Sequence, residues 1–260
     1  MAPDEVSNGH DPQDTPDSEV MTVSLTPDPS PARAGEGRFV SRSRDFHGQG
    51  AIVVVDYGMG NLRSVWQALV HVADGRQVIV SADPAVLAAA ERVVFPGQGA
   101  MPDCMREIEV RGLRAAVLDA ARNKPFLGIC IGQQMLFEHS EEGNVPGLGV
   151  IDGDVRRFPA QRMFDAAGNR LKVPHMGWNE VWHNREHFLW RGIADGARFY
   201  FVHSYFVVPA DAACVVGTTD HGIPFTSAVA RDNIFAIQCH PEKSALAGLA
   251  MLANFVAWKP

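Results

Sequence analysis

No stretch of the 260-residue chain approaches 18 consecutive apolar residues, so the sequence offers no transmembrane helix and no membrane partner. The N-terminus has neither a basic segment nor an apolar core, which excludes a secretory signal. The four cysteines (Cys104, Cys130, Cys214 and Cys239) form no CxxC pair and no disulfide-framework spacing. A reducing, cytoplasmic setting is therefore expected. Positive charge is missing from residues 1–31, which hold seven acids and no Lys or Arg. The rest of the chain has 23 acids against 23 bases. A nucleic-acid binder needs a net positive surface, and that class is set aside. A phosphate-binding Gly-rich loop is also lacking. His183 and His187 have the i, i+4 spacing of a helical metal pair, but no HExxH-type Glu lies between them. Asn184-Arg185-Glu186 reads as a solvated turn, so neither metal nor cofactor is expected.

What is present is an alternation of strands and helices. Residues 1–49 are acidic and Pro-rich, too poor in large apolar groups to repay chain ordering, and read as a disordered tail. An upstream alternative start would also produce such a tail, since Met21 is available. From Ala51 onward, strands are expected at Ile52–Val55, Gln77–Val80, Val93–Phe95 and Phe126–Ile129, each a short apolar run. Helices fall between them. One spans Leu62 to Val72 with Asn61 as N-cap, one starts at Asp83-Pro84, one has a face marked by Ile108, Gly112, Ala115 and Leu118, and one starts at Gln133–Phe137. This rhythm implies an α/β fold with a mostly parallel sheet flanked by helices. Beyond residue 149 further strands take over (Val150–Phe158, Phe199–Val202, Phe206–Val208, Ala213–Thr218, Ser227–Ala230, Ile234–Gln238). A final amphipathic helix carries Leu246, Leu249, Ala253 and Val256. Residues 50–260 read as one domain.

Two motifs carry chemistry. Gly128-Ile129-Cys130-Ile131-Gly132 lies between an apolar strand and a helix. A nucleophile on such a tight turn needs small residues at minus two and plus two, the logic of the Gly-x-Ser-x-Gly elbow with sulfur in place of oxygen. A helix N-terminus there would favour the thiolate, and backbone N–H groups would face an oxyanion. Taken alone, the pentapeptide fits a buried core cysteine equally well. His240-Pro241-Glu242, at the end of the last strand, supplies a base and a carboxylate to orient it. In isolation that tripeptide suits a solvated loop; with the elbow it suits a catalytic triad.

Together with Gln133-Gln134 and Lys243-Ser244, these motifs resemble the class I, or triad, glutamine amidotransferases. Asp56–Ser64, Lys172–Asn179 and Tyr200–Tyr205 narrow the likeness to the glutaminase subunits of imidazole glycerol phosphate synthase, over about residues 51–258. The resemblance implies Cys130 as the nucleophile that forms a γ-glutamyl thioester, His240 as acid and base, and Glu242 as its orienter. It implies Gln134, His203, Ser204 and Tyr205 along the L-glutamine substrate. Gly97, Gln98, Gly99 and Ile131 would form an oxyanion strand that reorients when the partner is loaded. The implied partner is a TIM-barrel cyclase in a heterodimer, which uses the ammonia to convert PRFAR to imidazole glycerol phosphate and AICAR. Asn61, Arg63, Pro174, His175, Met176, Trp178 and Asn179 are expected near that interface.

Gln98 stands where many relatives have Val, and Cys239 where Phe is usual. The latter reads as an apolar filler rather than a second reactive thiol. Cys104, at a helix start, could have an acidified thiol but lacks a nearby base. The rival readings are another amidotransferase subunit (such as that of anthranilate synthase), a stand-alone cysteine γ-glutamyl hydrolase, and a non-catalytic docking subunit.

Overall fold

The computed structural model describes residues 50–260; the tail expected over 1–49 lies outside the described residues. In chain order the elements are β1 (Ile52–Val55), α1 (Leu62–Val72), β2 (Val78–Ser81), α2 (Pro84–Ala89), β3 (Arg92–Gly97), α3 (Met101–Val110), α4 (Arg114–Asn123), β4 (Phe126–Cys130) and α5 (Ile131–Gln134). There follow β5 (Phe137–Ser140), β6 (Val145–Pro146), β7 (Ile151–Arg157), β8 (His175–His183), β9 (Ala197–His203), β10 (Tyr205–Pro209), β11 (Val215–Asp220), β12 (Pro224–Arg231), β13 (Ile234–Ile237) and α6 (Ala245–Ala257).

The central strands run in the order β2-β1-β3-β4-β13, all parallel, and every residue of β1, β3, β4 and β13 is buried. Burial on both faces is why these strands read as unbroken apolar runs rather than as alternation. From β13 the sheet continues through β12, β10 and β7, now antiparallel. The hairpin of β8 and β9 is tied in through β11. Register brings the carboxyl ends of β3, β4 and β13 level, with Gly97 opposite Cys130 and Ile129 opposite Ile237. Open parallel sheets bind ligands at this edge.

Several local expectations need correction. Asn61 caps α1 by position, but its side chain makes no cap hydrogen bond. Asp83 does cap α2, accepting from the Ala85 amide at 2.8 Å. The helix expected around Ile108–Leu118 is two helices. Gly112 adopts φ 65°, and the Leu113 amide reaches back to the Ile108 carbonyl at 3.0 Å. That is a Schellman stop, which a left-handed glycine permits at little cost. The helix after the elbow is only four residues long, and Phe137 already belongs to a strand. The buried face of α6 runs through Gly248, Met251, Leu252, Phe255 and Val256, while Leu246 is exposed. Among the described residues no helix is long and apolar enough to cross a membrane.

One buried cation fastens the last helix to the sheet. Arg92 is 2% exposed; its Nη1 donates to the carbonyls of Phe255 at 3.1 Å and Trp258 at 2.5 Å, and its Nη2 donates to Glu91 at 2.9 Å. The Phe255 carbonyl also takes the C-cap amide of Trp258 at 3.3 Å, so Arg92 adds to the capping of the helix end. Arg92→Met is expected to cost about 3 kcal/mol in urea denaturation, the order for stripping a buried charged donor from its acceptors. Amides of Phe255–Trp258 should lose hydrogen-exchange protection before those of β4. Unchanged protection of that end would contradict the assignment.

Candidate active site

The elbow is built by steric exclusion. Cys130, the last residue of β4, sits at φ 55°, ψ −114°, a conformation that costs a non-glycine residue of order 1–3 kcal/mol. Its flanking glycines have no room for a side chain. A Cβ at Gly132 would lie 1.8 Å from the Phe95 carbonyl oxygen, and one at Gly128 would lie 3.0 Å from both the Ala236 Cβ and the Gly132 oxygen. The small residues at minus two and plus two are therefore required by backbone packed against β3 and β13. Gly97 is just as tight, with a Cβ there 2.6 Å from the Tyr57 hydroxyl and 2.7 Å from the Ile131 Cβ. With four residues, α5 is too short for a strong helix dipole, so charge at the sulfur has to come from side chains.

His240 supplies it. Its Nδ1 bonds Glu242 Oε1 at 2.8 Å, and both side chains are almost fully buried. The histidine backbone is pinned as well. Its amide donates to the Tyr200 carbonyl at 2.9 Å, and its carbonyl accepts from Ser244 Oγ at 2.6 Å. Burial alone would lower the imidazole. The negative charge and hydrogen bonding of a Cys130 thiolate, with support from Glu242, outweigh it and raise His240 to about 10. His240 is thus an imidazolium facing the Cys130 sulfur. His240 Nε2 is buried and makes no hydrogen bond of good geometry, a looseness common in sites without substrate.

A cavity of about 250 Å³ opens over the sulfur. Nine of the residues expected at the site line it together: Cys130 and His240, then Gln134, His203, Ser204 and Tyr205, and finally Gln98, Gly99 and Ile131. Glu242 stands behind His240, and Gly97 packs beneath Ile131. Gln134 is 1% exposed. Its Nε2 donates to the Tyr205 carbonyl at 3.1 Å and to Gln238 Oε1 at 2.8 Å, while its Oε1 has no partner. Gln238 in turn points Nε2 at Cys130 Sγ, 3.6 Å away. On the other side, the Tyr205 carbonyl accepts from His203 Nδ1 at 2.8 Å, and His203 Nε2 faces His175 Nδ1 at 2.9 Å. His175 Nε2 accepts from Asn179 Nδ2 at 3.2 Å. Burial, reinforced by neighbouring histidines, drives both rings down to about 3, so both are neutral and each has one donor and one acceptor nitrogen.

Some sequence expectations change here. His175, expected at a partner surface, is only 4% exposed and stacks on His221, because alternation along β8 turns it inward. Met176 and Trp178 point outward at 63% and 44% exposure, and Arg63 is also exposed. Pro174 sits on the cavity rim, whereas Asn61 and Asn179 are half-buried. Burial, eased only in part by a hydrogen bond with Tyr57, pushes the Cys104 thiol up to about 11, against the acidified thiol its helix start suggested. Burial also pushes Cys239 well up; it is a neutral filler with no exposure. His183 stacks on Trp190, and His187 packs against Phe235 and Trp258, so the two do not share a helix face. Sequence reasoning missed Gln238, Glu142 and Val202 as site residues, and met Lys243, which lines the cavity, only as part of a motif. The one usable signal was a lone Gln closing an apolar strand beside His-Pro-Glu.

A charged His240 makes two testable statements. Its folded-state value is raised above 6.5, so the stability it contributes is full below pH 6.5 and is lost as pH rises through about 10. NMR titration of the His240 ring should find it protonated at neutral pH, and Cys130→Ala should lower its titration midpoint. An unshifted midpoint in that variant would show that the sulfur does not hold the charge. Gly132→Ala should cost about 3 kcal/mol by overpacking. At Gly112, where nothing lies within 4 Å, the same change should cost only the left-handed penalty of about 1 kcal/mol.

With this geometry in place, comparison with known proteins places the chain. Residues 53–258 match the family model described as glutamine amidotransferase class-I. The chain is 71% identical over 209 residues to the imidazole glycerol phosphate synthase subunit HisH of Dechloromonas aromatica (strain RCB), covering 80% of this chain and 97% of that one. It is 69% identical over 209 residues to the HisH subunit of Aromatoleum aromaticum, covering 80% and 99%. The fold is similar to that of the PurLQS structure from Thermotoga maritima, with a TM-score of 0.59 at 19% identity over 80% of this chain and 98% of that one. The chain belongs to the class I glutamine amidotransferases, among the HisH subunits of imidazole glycerol phosphate synthase.

Proposed function

We propose that the chain hydrolyses L-glutamine to glutamate and ammonia through a thioester on Cys130, and passes the ammonia to a cyclase subunit. The observation that carries this reading is the Cys130 sulfur beside a charged His240 hydrogen-bonded to Glu242, in a cavity lined by Gln134 and Ser204. The thiolate attacks the side-chain amide carbon, and the carbonyl oxygen takes up the negative charge. Backbone N–H groups of Gln98, Gly99 and Ile131 are the candidate donors for that oxyanion. His240 gives its proton to the departing nitrogen, and ammonia leaves with the C–N bond broken. The now neutral imidazole draws a proton from water, hydroxide attacks the thioester, and the thiolate departs as the imidazolium re-forms. Glu242 fixes the tautomer throughout. Gln134 Oε1, an acceptor left without a donor, is suited to an N–H of the bound amino acid.

The relatives' names support a role in imidazole glycerol phosphate synthase; with a cyclase as the ammonia acceptor, the reaction served is conversion of PRFAR to imidazole glycerol phosphate and AICAR. The outward Met176 and Trp178 of β8, beside the cavity-rim Pro174, are the surface proposed for that partner. Exposed large apolar groups of this kind mark contact sites when clustered. We further propose that residues 50–260 form one amidotransferase domain, that the site needs no cofactor, and that the protein works in the cytoplasm.

The test is glutamate release by the purified chain, alone and with a cyclase subunit and its nucleotide ligand. Strong activation by the loaded partner is the expected result; equal rates with and without it would point to a stand-alone γ-glutamyl hydrolase. Cys130→Ala should reduce release by at least about a thousandfold, the order seen when a nucleophile is removed. Binding to the cyclase should persist in that variant.

A further inference from the structure

We infer that Gln238 is a second partner of the Cys130 sulfur beside His240, an N–H donor that holds the thiolate, and that Gln134 dictates which end of the Gln238 amide faces it. The inference rests on the reading of Cys130 as nucleophile. Gln238 follows the last residue of β13 and is completely buried. Its Nε2 lies 3.6 Å from Sγ, a hydrogen-bond distance for an atom as large as sulfur, and its Oε1 accepts from Gln134 Nε2 at 2.8 Å.

A glutamine amide has two ends of nearly equal shape and opposite role. Flipping Gln238 would place an oxygen against the thiolate and an N–H against another N–H. Gln134 cannot relieve this by flipping too, because its Nε2 also donates to the Tyr205 carbonyl, which has no proton to offer. That carbonyl is held in turn by His203, His203 by His175, and His175 by Asn179, with every donor nitrogen assigned by the neutrality of both rings. The Tyr205 carbonyl accepts from both sides, from His203 and from Gln134, and from Gln134 onward the donors run one way, ending with an N–H directed at sulfur. A neutral donor also serves where His240 cannot. When the imidazole has given its proton to ammonia and stands neutral beside the thioester, Gln238 still presents an N–H to the sulfur.

The experiment is iodoacetamide alkylation of the full chain across pH, read by mass spectrometry at Cys130, with thermal unfolding in parallel. Gln238→Glu keeps the shape and the acceptor for Gln134 but turns the donor into an anionic oxygen. Gln238→Met keeps the length and removes the donor. Alkylation at neutral pH should slow about tenfold in Gln238→Glu, one unit of midpoint shift, and several-fold in Gln238→Met. Both should recover the parent rate as pH rises. A parent-like pH profile in both variants, with only the unfolding temperature lowered, would mean a packing role and overturn the inference. Should Gln238→Glu fail to fold, the profile of Gln238→Met decides. Failure here is separable from failure of the nucleophile reading: that reading falls if Cys130→Ala still releases glutamate, whatever the Gln238 profiles show.

Discussion

The backbone of Cys130 can take its left-handed turn only because β3, β4 and β13 close around it without a spare ångström. Gly132 lies against the Phe95 carbonyl, Gly128 against Ala236, and Gly97 against Ile131. A turn that costs a cysteine free energy persists when its surroundings leave no alternative, and here three parallel strands provide that confinement. The same confinement brings the ends of β4 and β13 level, so that residues more than a hundred positions apart meet at one sulfur. Fold and site are one constraint at this point. The strand edge needed to pack the glycines is also the edge that opens onto the cavity.

Electrostatics then does what a longer helix would otherwise do. α5 is a single turn, and the charge that favours the thiolate comes from His240, itself kept protonated against the cost of burial by Cys130 and Glu242. Around it the polar groups are neutral and directional. Tyr205, Gln134 and Gln238 are joined by hydrogen bonds that leave one acceptor, the buried Gln134 Oε1, without a partner.

Much of this was legible in the residues, for identifiable reasons. β1, β3, β4 and β13 are unbroken apolar runs buried on both faces, and such runs announce themselves. The elbow glycines and the His-Pro-Glu tripeptide mark chemistry because backbone crowding and base orientation demand those residue types locally. β8 was passed over as a strand. Its His-Met-Gly-Trp-Asn start mixes buried and exposed positions, and its pairing with β9 and β11 comes from tertiary contacts. The double helix around Gly112 was read as one helix because a single left-handed residue breaks the chain without breaking the apolar spacing. Gln238 escaped notice for a different reason: its role depends on which side chain stands opposite, and no local pattern records that.

Three histidines at the site, His175, His203 and His240, fall into two groups. His175 and His203 are pushed to about 3, and His240 is lifted to about 10. Across the whole span from mild acid to mild alkali, none of the three changes its proton count in the resting site. Those three rings therefore present one positive charge and two neutral faces to whatever enters, and substrate meets the same arrangement of ring donors and acceptors throughout that span.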